Sequence, residues 1–211
     1  DSHGMVMVMG VTGSGKSTFV NLLKPGAVRV EHGLHSAPEP PQAVKLVLDR
    51  RHRRSVTVVD TPGFDDTQRS GSTVLKEILR YLSVQYTLNI PLKGIIYLHQ
   101  IHETRMRGSA TQYLKTLQSL CSGPDALKNV IFVTTRWDMV KNQEDGMRRE
   151  QELIDDWLSP MLEKGATVMR FHGSPAEAQA MVSRLVSSEE SLVLDVQREL
   201  VDDEKSISET Q

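Results

Sequence analysis

Eight residues, Gly10-Val11-Thr12-Gly13-Ser14-Gly15-Lys16-Ser17, restrict what this chain can fold into more than any other stretch. They fit the spacing G-x-x-x-x-G-K-[ST], which requires a strand before it and a helix after it. Both signals are present: the apolar run Met5-Val6-Met7-Val8-Met9 precedes the loop, and a helical pattern over residues 16–23 follows it. The chemistry explains the residue types. Successive backbone N–H groups must wrap a polyphosphate, and side chains at the glycine positions would block that approach. Thr12, Gly13, Ser14, Gly15, Lys16, Ser17 and Thr18 are therefore the expected cradle. Lys16 supplies a point charge to the β and γ phosphates, Ser17 is the expected Mg2+ ligand, and the helix contributes the positive end of its dipole.

The rest of the chain supports an α/β fold. Apolar, β-prone runs recur at residues 5–9, 43–48, 55–59, 94–99, 129–134 and 166–171. Helical patterns lie at residues 16–23, 72–85, 109–120, 144–158 and 175–187. This alternation predicts a three-layer fold: a mostly parallel six-stranded sheet with helices on both faces. Residues 43–59 differ, because two strand-like runs joined by the polar stretch 49–54 read as an antiparallel hairpin. Pro38, Pro40 and Pro41 mark a non-helical loop. The expected division is one nucleotide-binding unit over residues 1–187, then a C-terminal helix and polar tail over 188–211.

Bulk composition narrows the function classes. With 25 Lys and Arg against 27 Asp and Glu, the net charge is −2, without the basic excess that nonspecific nucleic-acid binding requires. A single cysteine, Cys121, leaves no internal disulfide and suits a reducing, cytoplasmic setting. No run approaches the roughly 20 apolar residues of a membrane span. Residues 1–4 read as a trimmed start rather than a secretion signal.

Two further motifs bear on which nucleotide is bound. The apolar strand Val56-Thr57-Val58-Val59 ends in Asp60-Thr61-Pro62-Gly63-Phe64. A carboxylate there reaches Mg2+, usually through water, and the Gly63 N–H can bond a γ-phosphate. Taken alone the same residues would also suit an ordinary Pro-Gly turn. Later, residues 129–133 run into Thr134-Thr135-Arg136-Trp137-Asp138. Thr135, Arg136 and Asp138 resemble the [NT]-K-x-D guanine motif, in which a carboxylate accepts from the guanine N1–H and 2-amino group. Arg136 in the lysine place can still lay its methylenes and guanidinium plane over a base. A helix-capping role for Asp138 is the alternative. His172 and Gly173 follow the last strand, where a backbone contact to the base is expected, although His172 also suits a plain surface position.

These three motifs together, over residues 5–187, resemble the G domain of translation-factor-related GTPases. Asp60-Thr61-Pro62-Gly63-Phe64 is similar to septins, immunity-associated nucleotide-binding proteins and chloroplast-import receptor GTPases. The wider combination, with Tyr97-Leu98-His99-Gln100-Ile101, is similar to small fungal G-domain proteins. The resemblance implies Mg2+-dependent binding of GTP and GDP, with two G domains associating as a homodimer across their nucleotides.

Two departures bear on catalysis. Phe64 stands where Ras-like enzymes carry a water-orienting glutamine, so slow intrinsic hydrolysis is expected. Residues 20–53 contain no threonine, and Ser36 is the hydroxyl closest in kind to the usual switch residue. Catalytic help is sought in the segment after the fourth strand, where Arg105 or Arg107 are arginine-finger candidates and His102 a water-ordering one. Solvated loop charges are the competing reading for these. His99 reads as a satisfied structural histidine, and His32 and His35 as switch-loop residues of unassigned role. The run Arg50-Arg51-His52-Arg53-Arg54 reads as a solvated hairpin tip. Lys16, Asp60, Gly63 and Arg105 are thus the catalytic candidates, with Ser17 and Asp60 for the metal. A nucleotide-binding protein without turnover, and an ATP-using kinase or ATPase, stay open as rivals.

Overall fold

Every residue of β1 (Met5–Gly10) is buried, with Met5, Met7 and Met9 in one cluster and Val6 and Val8 in another. A strand that is apolar on both faces requires a layer on each side. The computed structural model describes residues 4–28, 41–49, 54–63, 71–106, 108–121, 123, 125–188, 191–194 and 197, and it supplies both layers.

On one face lie α1 (Lys16–Leu23) and α6 (Pro175–Val186). Phe19, Val20, Ala178, Met181, Val182 and Leu185 of these helices pack on Val6, Val8, Ile96 and Leu98. On the other face lie α2 (Gly71–Thr87), α3 (Gly108–Leu120) and α4 (Gln143–Leu153). Val74, Ile78, Leu82, Tyr113, Leu117 and Leu153 cover Met7, Ile95, Tyr97 and Phe132 there. Each fully buried aliphatic side chain contributes about 1.5–3 kcal/mol by leaving water. Leu192 and Leu194 join the cluster of Met5, Met7 and Met9, and the Leu192 N–H donates to the Leu92 carbonyl at 2.7 Å.

The six strands run in the order β2-β3-β1-β4-β5-β6. Here β2 is Gln42–Asp49, β3 Arg54–Asp60, β4 Leu92–Gln100, β5 Val130–Thr135 and β6 Thr167–Arg170. Among these six strands of the described residues only β2 is antiparallel to its neighbour, as the hairpin reading expects. The three-layer α/β fold expected from the sequence is the one observed.

The expected helix over 144–158 is interrupted. After α4 the chain widens into a π turn at Ile154–Leu158 and resumes as α5 (Ser159–Leu162). Pro160 is the physical reason: it has no N–H to donate back along the helix, and its ring crowds the preceding turn. Two 3-10 turns, Ala126–Asn129 and Trp137–Met139, also had no periodic signal. The candidates His32, His35, Ser36, Phe64 and Arg107 lie outside the described residues, as do Pro38, Pro40 and Arg50–Arg53 of the hairpin tip. No helix among the described residues is long and apolar enough to cross a membrane.

Candidate functional site

Parallel strands deliver their C-terminal ends to one edge of the sheet, and ligands of open α/β sheets bind outside that edge. The loop after β1 turns there into α1. Gly15 forms the N-cap of α1 at φ +99, a left-handed conformation that L side chains rarely adopt. No side chain among the described residues caps this helix, and no acidic residue sits in its first turn. Its leading N–H groups are thus presented to an outside acceptor, and the dipole favours an anion. A Cβ added at Gly15 would meet no described residue within 4 Å. Lys16 is buried, and its Nζ donates to the carbonyls of Gly10 and Val11 at 3.0 Å each. Ser14 is buried beneath the loop, while Thr12, Gly13 and Thr18 are exposed along its rim.

The second element meets this loop at two points. Ser17 Oγ donates to Asp60 Oδ2 at 2.7 Å, joining a half-buried hydroxyl to a buried carboxylate. Hydroxyl and carboxylate oxygens are the hard donors that Mg2+ prefers, so the pair fits that ion. Thr61 fastens the same stretch to β1: its N–H and Oγ1 both donate to the Val8 carbonyl, at 3.2 and 2.9 Å. Gly63 lies against the loop itself. A Cβ at that position would collide with Thr12 Oγ1 and come within 2.8 Å of the Thr12 nitrogen.

The third element closes the edge from the far side. Thr135 Oγ1 donates to the Ser14 carbonyl at 2.8 Å, across 121 residues of sequence, and also to the His99 carbonyl at 3.3 Å. Arg136 takes a left-handed turn at φ 61 and is half-buried, which throws the chain into the 3-10 turn bearing exposed Asp138. Asp138 does not cap α4; Asn142 does, its side chain accepting from the Glu144 N–H at 3.0 Å. His172 and Gly173 are exposed just beyond β6, with His172 Nδ1 3.0 Å from Glu177 Oε1. Glu177 also completes a capping box with Ser174. Burial pushes the Glu177 carboxyl upward, but donors from Ser174 and His172 outweigh it and hold its pKa below the ordinary value. Phe19 and Phe171 pack edge to face at 5.2 Å, tying α1 to the end of β6.

Several residues here carried no sequence signal. Trp137 occupies the variable position of its motif, yet it is buried, and its Nε1 donates to the Thr134 carbonyl and Oγ1 at 3.1 Å each. Glu150 sits in a strongly polar helix, where one buried glutamate looks like its solvated neighbours, and Arg170 is simply the last residue of β6. Gln100 closes β4 beside the phosphate loop: a Cβ on Gly13 would lie 3.4 Å from its Oε1, and its Nε2 donates to Glu103 Oε1 at 2.6 Å.

The histidine-rich segment behaves differently from expectation. His99 is half-buried at the end of β4, and its Nδ1 is shut from solvent with no hydrogen-bond partner among the described residues. Burial, reinforced by neighbouring His102, lowers its pKa to about 4, so the ring is neutral at ordinary pH. The expected partner is thus missing for Nδ1 among the described residues. Arg149 Nη1 donates to the His102 carbonyl at 3.0 Å and pins that turn, while Arg105 is exposed in the loop before α3.

Comparison with known proteins places this arrangement. The model of the AIG1 family matches residues 5–197. A curated relative, cell division control protein 10 of Candida albicans, is 32% identical over 89 residues, which is 39% of this chain. The matched stretch is 25% of that relative's length. Among solved structures, Toc33 from Arabidopsis thaliana in complex with GDP and Mg2+ superposes with a TM-score of 0.71 at 16% identity. That match covers 92% of this chain and 88% of the other. A second structure, described by the importance of dimerisation for the GTPase activity of the chloroplast translocon components atToc33 and psToc159, gives a TM-score of 0.67 at 15% identity, covering 91% and 86%. At these identities the likeness is one of fold.

Proposed function

The chain belongs to the AIG1 family of P-loop GTPases, and from that premise we propose that it is a Mg2+-dependent guanine-nucleotide switch that hydrolyses GTP slowly by itself and faster as a homodimer. The observation that carries the nucleotide assignment is the Thr135–Ser14 hydrogen bond, which docks the base-reading loop directly on the phosphate loop. One ligand spanning both would have a polyphosphate at one end and a base at the other.

The roles follow from chemistry. Lys16 faces the β and γ phosphates and offsets charge that develops there. Ser17 and Asp60 are the residues that would hold Mg2+, which would neutralise phosphate charge when bound. The Gly63 N–H senses the γ-phosphate. Asp138 accepts from the guanine N1–H and 2-amino group, donors that adenine lacks, Arg136 covers the base, and the backbone around His172 and Gly173 completes the pocket. Catalysis then rests on positioning and electrostatics, as phosphoryl transfer requires.

Support for the dimer is chemical and comparative. Phe64 cannot orient water, so a second copy is the natural source of a missing group, and Arg105 lies exposed and available for that role. A solved structure of the same fold is described by the dependence of its GTPase activity on dimerisation. A cytoplasmic setting belongs to the same proposal.

Single-turnover phosphate release, followed at rising protein concentration, tests this. The rate constant should climb roughly with concentration until dimers saturate, and Arg105→Ala should flatten the climb. Absence of release at every concentration would leave a nucleotide-binding protein without turnover.

A further inference from the structure

We infer that Glu150, Arg170 and Trp137 form a clasp that positions the guanine-reading loop, and that Glu150 controls how sharply the site distinguishes guanine from a purine without the 2-amino group. The inference rests on the assignment of Asp138 as the base-reading carboxylate.

Two loops must be held in register for a base to be read: the one after β5, bearing Asp138, and the one after β6, bearing His172 and Gly173. Their strands pair with Thr134 opposite Arg170. Glu150 reaches both from α4. Its Oε1 accepts from Thr134 Oγ1 at 2.9 Å, and its Oε2 accepts from Arg170 Nε at 2.8 Å and Nη2 at 2.5 Å. The Arg170 guanidinium in turn lies over the Trp137 ring, 4.6 Å from its centroid. The circuit closes where Trp137 Nε1 donates back to the Thr134 carbonyl and Oγ1. Each of the four side chains touches the next, and the residue following Trp137 is Asp138.

The chemistry of the circuit favours positioning over plain stabilisation. Burying a carboxylate is costly unless it is paired, and well-packed apolar residues stabilise a core at least as well as a buried ion pair. What a forked guanidinium–carboxylate contact adds is direction, since its N–H groups match only one orientation of the acceptor. The Trp137 indole is packed by two neighbours. Arg170 covers one face, and α4 presses close enough that a Cβ on Gly146 would come within 2.8 Å of the ring. A fixed indole leaves the adjoining 3-10 turn little freedom to move the Asp138 carboxylate.

The test compares equilibrium affinities for guanosine diphosphate and inosine diphosphate, which lacks the 2-amino group, with Mg2+ present. In the full chain the guanosine ligand binds more tightly. Glu150→Gln keeps the side-chain shape but weakens the Arg170 contact, and should shrink that preference about tenfold while inosine diphosphate affinity moves far less. Arg170→Lys retains the ion pair but loses the fork and the flat stacking, and should act in the same direction if Glu150→Gln does not fold. Asp138→Ala is the reference and should abolish the preference. Loss of preference in Asp138→Ala, with the full preference kept in both clasp variants, overturns the clasp. An equal loss of both ligands in the clasp variants also overturns it, because a merely structural role predicts that result. Full preference in Asp138→Ala overturns the base-reading assignment itself, and the clasp with it.

Discussion

Lys16→Met leaves the fold intact and lowers affinity for GTP and GDP by about a hundredfold. The methionine side chain retains most of the lysine stem, so packing in the buried channel under the loop is kept. What disappears is the ammonium group, which Gly10 and Val11 hold by their carbonyls at 3.0 Å each. Those two carbonyls show why the effect is large. They tie the cation to the loop itself, so it need not be gathered from many rotamers when a polyphosphate binds. A charge-assisted hydrogen bond of this kind is worth about 1.5–3 kcal/mol, and one lysine serves two phosphates. Titration of a fluorescent GDP analogue, paired with thermal unfolding, checks both halves of the expectation. Affinity within a few fold of the parent protein would show that the loop binds something other than a polyphosphate.

Gly63→Ala lowers single-turnover hydrolysis by about a hundredfold and weakens a non-hydrolysable GTP analogue more than GDP. The mechanism is steric. The added Cβ would strike Thr12 Oγ1 and press on Thr12 backbone atoms at 2.8 and 3.0 Å, so the Asp60–Gly63 stretch must retreat from the phosphate loop. That retreat carries Asp60 away from Ser17, now 2.7 Å apart, and the Gly63 N–H away from a γ-phosphate. GDP, which lacks that phosphate, is spared most of the loss. Adding Thr12→Ala removes the hydroxyl but not the backbone contacts, so it restores activity only in part. Equal affinities for both nucleotides in Gly63→Ala would show that Gly63 does not face the third phosphate.

How much of this was legible in the sequence depended on the kind of signal. The phosphate loop announces itself because backbone approach demands glycine and a polyphosphate demands lysine, and both constraints leave residue types at fixed spacing. β1 was legible because burial on both faces forces a continuous apolar run. The same logic found the β2–β3 hairpin and the order of helices. It failed at the end of the expected helix 144–158, whose last five residues widen into a π turn ahead of Pro160, since the apolar stripe continues across the widened turn. It failed more completely at the clasp. Glu150 and Arg170 are ordinary charged residues in polar or edge positions, and only the folded chain shows one carboxylate serving Thr134 and Arg170 together. His99 was read as satisfied from its place at the end of an apolar strand, and its Nδ1 has no partner among the described residues.

The central claim is that one ligand joins the two ends of this site, and that the ligand is a guanine nucleotide. Competition against fluorescent GDP measures it most directly, with GTP, GDP and ATP titrated in turn in the presence of Mg2+. The account predicts displacement by GTP and GDP at comparable concentrations, and by ATP only at roughly a hundredfold more or higher, because adenine offers Asp138 neither donor. Displacement by ATP as readily as by GTP would contradict it.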